Sequence, residues 1–241
     1  MFVPFKEALY KAKFLSRENR FILICQLDHN QEKITVHLQD PGRLTDLLIP
    51  NNTIYVSYHD VPNRKTKWTA ELITKPDSNI LVSLRSTLPN DVVKEAIKKK
   101  MIPYYSHMDY VRHEFTYGGS RWDLLLSDPL LHKPYLLEIK SVTMEQQGIG
   151  YFPDAPTKRG TKHVQELMEI QKSGKYNTGI LFVCQREDIQ HVKPAHWIDS
   201  DFAFALKQAK RSGVEIRAVK CTLTLEGITL GPGVPVEIED K

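Results

Sequence analysis

Cysteine is scarce in this chain. Its 241 residues include three cysteines, and no two of them form a Cys-x-x-Cys pair. The small, odd number excludes a disulfide framework and a cysteine-based zinc site. Cys25, Cys184 and Cys221 all lie in apolar runs typical of strands, which predicts buried thiols. A reducing environment fits this use of cysteine.

Long hydrophobic runs are also missing. The apolar stretches are only a few residues long, too short to span a bilayer. The first residues do not form a basic segment followed by an apolar one, so they do not read as a signal peptide. We therefore expect a cytoplasmic protein without a membrane partner. The net charge of +4 and pI near 8.8 are compatible with a polyanionic partner but do not identify one.

Short alternating apolar segments recur in the first third of the chain. They lie at residues 20–27, 33–38, 53–58, 68–73 and 80–84, separated by turn residues. These segments predict a five-stranded, closed or nearly closed barrel of the oligonucleotide-binding (OB) type. We place this domain at residues 1–86.

Residues 87–241 alternate helical and strand patterns. A helix beginning at Asn90 precedes strands at 110–117, 120–126 and 135–142. Helices at about 161–172 and at 201–211 then alternate with strands at 179–184 and 214–220. This order predicts a mixed sheet with helices on both faces, and we assign it to a second domain.

Two neighbouring strands of the second domain carry charged side chains where burial is costly. Asp123 lies on the first strand, and Glu138 and Lys140 lie on one face of the next. Carboxylate oxygens suit Mg²⁺ (or Mn²⁺), and the backbone carbonyl of Ile139 is a candidate third ligand. Such a metal polarises a phosphodiester, while Lys140 orients the nucleophile or stabilises developing charge. The pattern predicts a metal-dependent phosphodiesterase site.

The same residue types have simpler interpretations. A Glu-x-Lys triplet is common, and by itself it is typical of a surface ion pair. Glu95, beside the apolar stripe of the first helix, is a catalytic candidate whose alternative is an ion pair with Lys99. His163 shares a helical face with Glu166. It is a candidate for contacting a phosphate or leaving-group oxygen, and its alternative is a solvated helix face.

Basic residues cluster in two further places. One cluster follows a loop rich in glycine and proline at the start of a helix, where backbone N–H groups favour anions. The other lies in the barrel, where cations precede an aromatic residue, a combination that holds single strands. Solvated charge and a core aromatic are the alternatives. The nucleic-acid-binding candidates are Arg43, Arg64, Lys65, Lys67, Trp68, Arg121, Lys158, Arg159 and Lys162.

Several segments together carry a family resemblance. They are residues 36–44 (VHLQDPGRL), 88–90 (LPN) with 95–97 (EAI), 119–123 (GSRWD), 137–143 (LEIKSVT) and 152–163 (FPDAPTKRGTKH). With these motifs the chain resembles the sugar fermentation stimulation protein A family over nearly its whole length. The last segment is the longest and most specific.

The resemblance implies an N-terminal OB barrel and a C-terminal domain of the restriction-endonuclease-like, PD-(D/E)xK type. It also implies DNA binding with little sequence preference and a regulatory link to sugar (maltose) metabolism. Trp122, not proline, precedes Asp123, so the literal PD pair is absent. This departure removes no proposed ligand.

Two hypotheses of different classes follow. In the first, the chain is a Mg²⁺-dependent nuclease that cleaves DNA with little sequence preference, and a homodimer is plausible if both strands are cut. In the second, it is a non-catalytic, non-specific DNA-binding regulatory factor. The two differ in whether a metal supports turnover, because both predict salt-sensitive binding.

Overall fold

A computed structural model describes residues 1–62 and 64–238 of this chain. Its N-terminal part is built from strands. They are β1 (Phe2–Pro4), β2 (Leu9–Asn19), β3 (Ile22–Leu27), β4 (Lys33–His37), β5 (Thr53–Tyr58), β6 (Trp68–Thr74) and β7 (Leu81–Ser83).

The strands β2–β6 close into the predicted OB barrel. They are ordered β4-β3-β2-β5-β6, and β4 returns to β6 through the parallel pairs Val36–Trp68 and His37–Thr69. The inward side chains, such as Leu23, Val36 and Ile54, form a core of their own. The barrel is therefore a closed five-stranded structure.

The predicted strand membership of this barrel was wrong in one place. The long strand β2 takes the fifth position, whereas β7, which was expected there, pairs with the end of β6 outside the closure. Only Ala12 and Phe14 are buried among the residues of β2, so its sequence shows little of the alternation that marks a strand.

The C-terminal part follows with alternating elements. They are α1 (Leu88–Lys98), a 3₁₀ turn (Pro103–Tyr105), β8 (Asp109–Tyr117), β9 (Ser120–Asp128), β10 (Lys133–Val142), β11 (Met144–Gln146), β12 (Ile149–Phe152), α2 (Lys158–Lys172), β13 (Asn177–Cys184), β14 (His191–Pro194), α3 (Ser200–Arg211), β15 (Glu215–Leu223) and β16 (Gly227–Val234). None of the helices in the described part of the chain is both long and apolar enough to cross a membrane.

A seven-stranded mixed sheet organises this part, in the order β1-β16-β15-β13-β10-β9-β8. The central strands β10, β13 and β15 are parallel, as the continuous apolar run of β13 predicts. The helix α1 packs on one face of the sheet with Leu137 and Ile139, and α2 and α3 pack on the other face with Leu136 and Ile180. The prediction of a restriction-endonuclease-like mixed sheet flanked by helices is confirmed.

Several elements differ from the sequence prediction. Helix α1 begins at Leu88, so Pro89 lies in its first turn and Asn90 is not its cap. Helix α2 begins at Lys158, because the Thr157 side chain caps it by accepting from the Gly160 N–H. The unpredicted strands β11, β12 and β14 form a small separate sheet, and β16 extends the main sheet.

The first strand lies on the C-terminal sheet and not in the barrel. Residues Phe2–Pro4 pair antiparallel with Gly227–Thr229 of β16. The chain thus begins on one domain, forms the barrel, and returns. A proposed boundary at residue 86 therefore describes the barrel better than it describes the first few residues.

Candidate active site

The strands β9 and β10 separate where the charged residues begin. Their antiparallel pairing ends at Leu124–Leu137, although the same two strands pair regularly from Lys133 onwards. Beyond that pair, the Ile139 N–H donates to Asp123 Oδ2 at 2.7 Å instead of to a backbone carbonyl. The opened ladder places the Asp123 and Glu138 side chains beside each other.

Asp123 is held from both sides of the gap. Its Oδ1 accepts from the Asn90 amide of α1 at 2.7 Å, while Oδ2 accepts the Ile139 N–H. Burial, and then the charge of Glu138, raise the pKa of Asp123 to about 7, against partial compensation from the Ile139 N–H and Lys140. The two carboxylates are thus close enough to disfavour each other's ionised form.

Glu138 is almost completely buried, with 4 % of its surface exposed. Burial favours the neutral form, but Lys140 and His163 together hold the pKa of Glu138 below its usual value. Its Oε1 accepts from Lys140 Nζ at 2.5 Å and lies 2.8 Å from His163 Nδ1. Its Oε2 is buried and has no hydrogen-bond partner among the residues that the structure describes. An ionised carboxylate with one vacant oxygen is a candidate ligand.

These donors fit a hard divalent cation. Within residues 1–62 and 64–238, no group of three or more His, Cys, Asp or Glu residues could hold a metal, so a site here rests on two carboxylates. Mg²⁺ commonly uses one or two carboxylates and keeps several waters. The N–H of Ile139 points towards β9, and its carbonyl points the same way because both groups of a strand residue face one neighbour. Asp123, Glu138 and the Ile139 carbonyl would hold the cation.

His163 links the carboxylate to a cation. Its Nδ1 contacts Glu138, its Nε2 accepts from Arg159 Nε at 3.5 Å, and its ring packs edge-on against Trp122. The side chain is buried. His163 therefore orients Glu138 as an outer partner, and the predicted solvated helix face does not describe it.

We expect His163→Ala to lower phosphodiester cleavage roughly 10- to 100-fold, the usual effect of losing an outer partner of a metal ligand. His163→Asn retains a donor near the Nδ1 position, so it should recover part of the rate. Cleavage rates at several metal concentrations measure this, because weakened metal binding is relieved by excess metal. Equal rates for the Ala and Asn variants would contradict an orienting role.

A cavity of about 370 Å³ opens from this site between the two domains. Its lining includes Lys140 and Arg159 from the C-terminal domain and Arg20 from the barrel. Arg20 is fixed by donating from Nε to the Pro41 carbonyl at 3.1 Å. Cations from both domains therefore face the same space, as binding of a phosphate backbone requires.

The barrel loop at residues 40–44 closes one side of the cavity against Asp154. A Cβ built on Gly42 would lie 2.0 Å from Asp154 Oδ2, so only glycine fits at this position. Burial raises the pKa of Asp154, and the nearby N–H groups of Leu44 and Arg43 offset part of that rise. The two longest family-like motifs of the sequence thus meet at one contact between the domains.

We expect Gly42→Ala to lower the free energy of unfolding by about 1–3 kcal/mol, because overpacking forces a shift of the loop. Asp154→Ala removes the obstructing carboxylate, so Gly42→Ala should cost much less in the double variant. Denaturant unfolding of the four proteins in this cycle measures the coupling. Additive effects would contradict a direct clash.

Other predicted site residues lie away from the carboxylates. Glu95 is five residues from Asn90, about 140° around the helix, and it pairs with Lys98 at 3.0 Å with 41 % of its side chain exposed. The structure therefore does not bring Glu95 to the site. Arg121 points outward and pairs with Glu114, and Lys162 pairs with Glu166 on the surface of α2.

The remaining basic candidates occupy different surfaces. Lys158 and Arg159 lie exposed in the first turn of α2, which contains no acidic residue. Arg43 is exposed and forms no ion pair with Asp40 or Asp46 in the described part of the chain, so that alternative is not realised. Arg159 alone of these three lines the cavity.

The barrel candidates form a partly satisfied patch. Lys67 pairs with Asp60 at 3.1 Å, Arg64 donates to the Thr69 hydroxyl, and Lys65 is exposed. Trp68 is partly buried and packs edge-on against Tyr10 and Tyr58, with ring centroids 5.3 and 5.0 Å away. Trp68 thus acts in part as packing, the alternative that its sequence context left open.

Sequence reasoning missed Asn90, Arg20 and Asp154 as parts of the site. Asn90 was interpreted as a helix cap, and only the fold places its amide on Asp123. Arg20 lies at a strand end and reaches the cavity from the other domain. The one available signal was their position in or near the family-like motifs.

Comparisons with known proteins agree with this architecture. The model of the "SfsA N-terminal OB domain" matches residues 15–83, and that of the "Sugar fermentation stimulation protein RE domain" matches residues 87–227. A sugar fermentation stimulation protein homolog from Shouchella clausii is 40 % identical over 95 % of this chain and 98 % of its own length. One from Clostridium kluyveri is 36 % identical over 97 % and 99 %.

A solved structure has the same fold. It is described as Pyrococcus furiosus SfsA in complex with Ca²⁺. It is 24 % identical to this chain, with a TM-score of 0.86, and the match covers 98 % of this chain and 100 % of that one. Both domains and their connection are therefore shared.

Proposed function

This chain belongs to the sugar fermentation stimulation protein family, and we propose that it is a metal-dependent nuclease that hydrolyses DNA with little sequence preference. The observation that carries the proposal is the buried pair of Asp123 and Glu138 at the opened ladder. Glu138 Oε2 is vacant there, and Lys140 lies 2.5 Å from the other oxygen. A structural ion pair does not require a second buried carboxylate beside it.

The residues divide the chemistry between them. A divalent cation, Mg²⁺ or Mn²⁺, held by Asp123, Glu138 and the Ile139 carbonyl supplies Lewis-acid polarisation of a phosphodiester. Lys140 places a positive charge at the cavity wall, where charge develops during the reaction. Arg20 and Arg159 bind neighbouring phosphates from opposite sides of the cavity. We also propose that Lys158, beside Arg159 in the first turn of α2, adds to this attraction.

DNA is the proposed substrate because the cavity presents cations and no base-reading helix of the helix-turn-helix kind fills it. Contacts to phosphates carry no sequence information, so cleavage should depend little on sequence. Arg43, Arg64 and Lys65 on the barrel are proposed to extend the positive surface along the backbone.

A nicking assay tests the proposal. Purified protein is incubated with supercoiled plasmid and with single-stranded DNA in Mg²⁺, Mn²⁺ or EDTA. Cleavage with metal and none with EDTA is expected. Salt-sensitive DNA binding without cleavage under any metal would overturn the nuclease.

That outcome would favour a non-catalytic DNA-binding regulatory factor. One observation supports this second candidate: both Asp123 oxygens already accept hydrogen bonds, from Asn90 and Ile139. The carboxylate pair would then be a remnant of the fold. A regulatory link to sugar metabolism belongs to this candidate alone.

A further inference from the structure

A second groove, with a volume of about 560 Å³, lies beside the active-site cavity and is larger than it. It is formed by β12, β14, the turn after β14, and one face of α3. Tyr151 of β12 lines both spaces, so the groove continues the cavity without a break in the wall. No step of the proposed reaction uses this groove.

The groove presents aromatic rings to solvent. Trp197 has 52 % and Phe204 has 64 % of its surface exposed, although large aromatic side chains usually bury most of their area. The Trp197 ring packs edge-on against Tyr151, with ring centroids 4.6 Å apart. This contact fixes the tryptophan ring at the point where the groove meets the cavity.

Cations follow the aromatic residues. Phe204, Lys207 and Arg211 lie at i, i+3 and i+7 of α3 and therefore share one face of the helix. Lys193 of β14 lines the opposite wall, where it pairs with Glu237 at 2.8 Å. Within the described lining, three Lys and Arg side chains accompany one carboxylate, so the groove favours an anionic occupant.

We propose that this groove binds a single-stranded segment of nucleic acid that is continuous with the strand in the active site. Bases would stack on Trp197 and Phe204, and phosphates would contact Lys207 and Arg211. Aromatic platforms beside a cationic groove are the general means of binding single strands without sequence preference. The inference rests on the proposed function, because the cavity that the groove extends is the proposed nuclease site.

Oligonucleotide length separates the two sites. The full chain is titrated in EDTA, where no cleavage occurs, with fluorescent oligothymidylates of about 5 and about 16 nucleotides. The double variant Phe204→Ala/Lys207→Glu should bind the long oligonucleotide about tenfold or more weakly, with a salt slope reduced by about one. It should bind the short one, which the active-site cavity accommodates, like the parent protein.

Matched controls lie elsewhere on the surface. Leu130→Ala truncates a side chain that is 72 % exposed, and Lys172→Glu reverses a charge on α2 whose side chain is 51 % exposed. Neither substitution should change binding of the long oligonucleotide. Stacking also quenches tryptophan fluorescence, so the long oligonucleotide should quench the parent protein more than Trp197→Phe, in which Trp68 and Trp122 remain.

Each other outcome overturns the inference. Equal affinity of the parent and the double variant for the long oligonucleotide would exclude the groove as a binding track, whether or not the protein cleaves DNA. A change in sedimentation from dimer to monomer in the double variant, without loss of DNA affinity, would make the groove an interface between copies. Groove-dependent binding by a protein that fails the nicking assay would retain the groove and reject the nuclease.

Discussion

Asp123→Asn is expected to reduce cleavage at least about a thousandfold, because a metal ligand contributes several kcal/mol to catalysis and each 1.36 kcal/mol is tenfold in rate. The substitution keeps the fold. An asparagine oxygen can still accept the Ile139 N–H, and the Asn90 amide can rotate to accept from the new amide. Single-turnover cleavage of a labelled duplex in Mg²⁺ measures the loss.

The same variant should be more stable than the parent when metal is absent. The folded-state pKa of Asp123 is raised to about 7 from the model value of 3.8, mainly by burial. A raised acid pKa means that the parent is most stable below about pH 4 and loses stability as the pH rises through 7. An asparagine does not ionise, so its advantage should reach roughly 2 kcal/mol at pH 8 in EDTA. Thermal unfolding at pH 5 and pH 8 measures it.

A matched control uses the other carboxylate candidate. Glu95→Gln removes a negative charge from α1 that is paired with Lys98 and half exposed, so neither the rate nor the pH dependence of stability should change appreciably. Loss of activity in Glu95→Gln would show that the helix face holding Glu95 takes part after all. Retained activity in Asp123→Asn would contradict the assignment of the metal ligands.

The order of domains was predictable from sequence because it depends on local periodicity. The continuous apolar run of β13 and the amphipathic pattern of α3 are both visible in the sequence, and both are found. The strand β2 was missed because only two of its residues are buried, and β1 was missed because its partner β16 lies more than two hundred residues away. Pairings of such separation leave no periodic signal.

The pairing of Asp123 with Glu138 was partly predictable. Two carboxylates on consecutive strands are expected near each other when the strands are antiparallel neighbours. The opened ladder was not predictable, because Ile139 donates to a side chain and no sequence pattern records that exchange. Similarly, the burial of His163 depends on the angle at which α2 crosses the sheet. The sequence left that position open between site and surface.

The contact between domains explains why motifs far apart in sequence belong together. The loop around Gly42 packs against Asp154, and the Lys75 ammonium bonds Glu145 and Asp188 at 2.7 and 2.8 Å. Arg186, fully buried, adds bonds to the same two carboxylates. These contacts join the barrel to the nuclease-like domain beside the cavity, so Arg20 is held at a set distance from Lys140. The barrel therefore contributes to the cavity directly, in addition to any binding on its outer surface.

Lys140→Met is expected to lower cleavage about 10²- to 10³-fold, the range found when one group that stabilises developing charge is removed. The ammonium lies 2.5 Å from Glu138 Oε1 and lines the cavity, with 14 % of its side chain exposed. Methionine preserves most of the length and apolar contact of the side chain, so the loss reports on charge. DNA binding should weaken only a few-fold, because Arg20 and Arg159 remain.

Lys140 has two separable effects, and metal concentration distinguishes them. Without Lys140, burial would raise the pKa of Glu138 and weaken its binding of a cation at low pH. That loss is recovered at high metal concentration or high pH, whereas a missing charge at the substrate is not. We expect the rate of Lys140→Met to stay low when both are raised. Lys98→Met, which removes an ion pair of the same kind from the surface of α1, should leave the rate unchanged. Full recovery of Lys140→Met in excess metal would make Lys140 a partner of Glu138 alone.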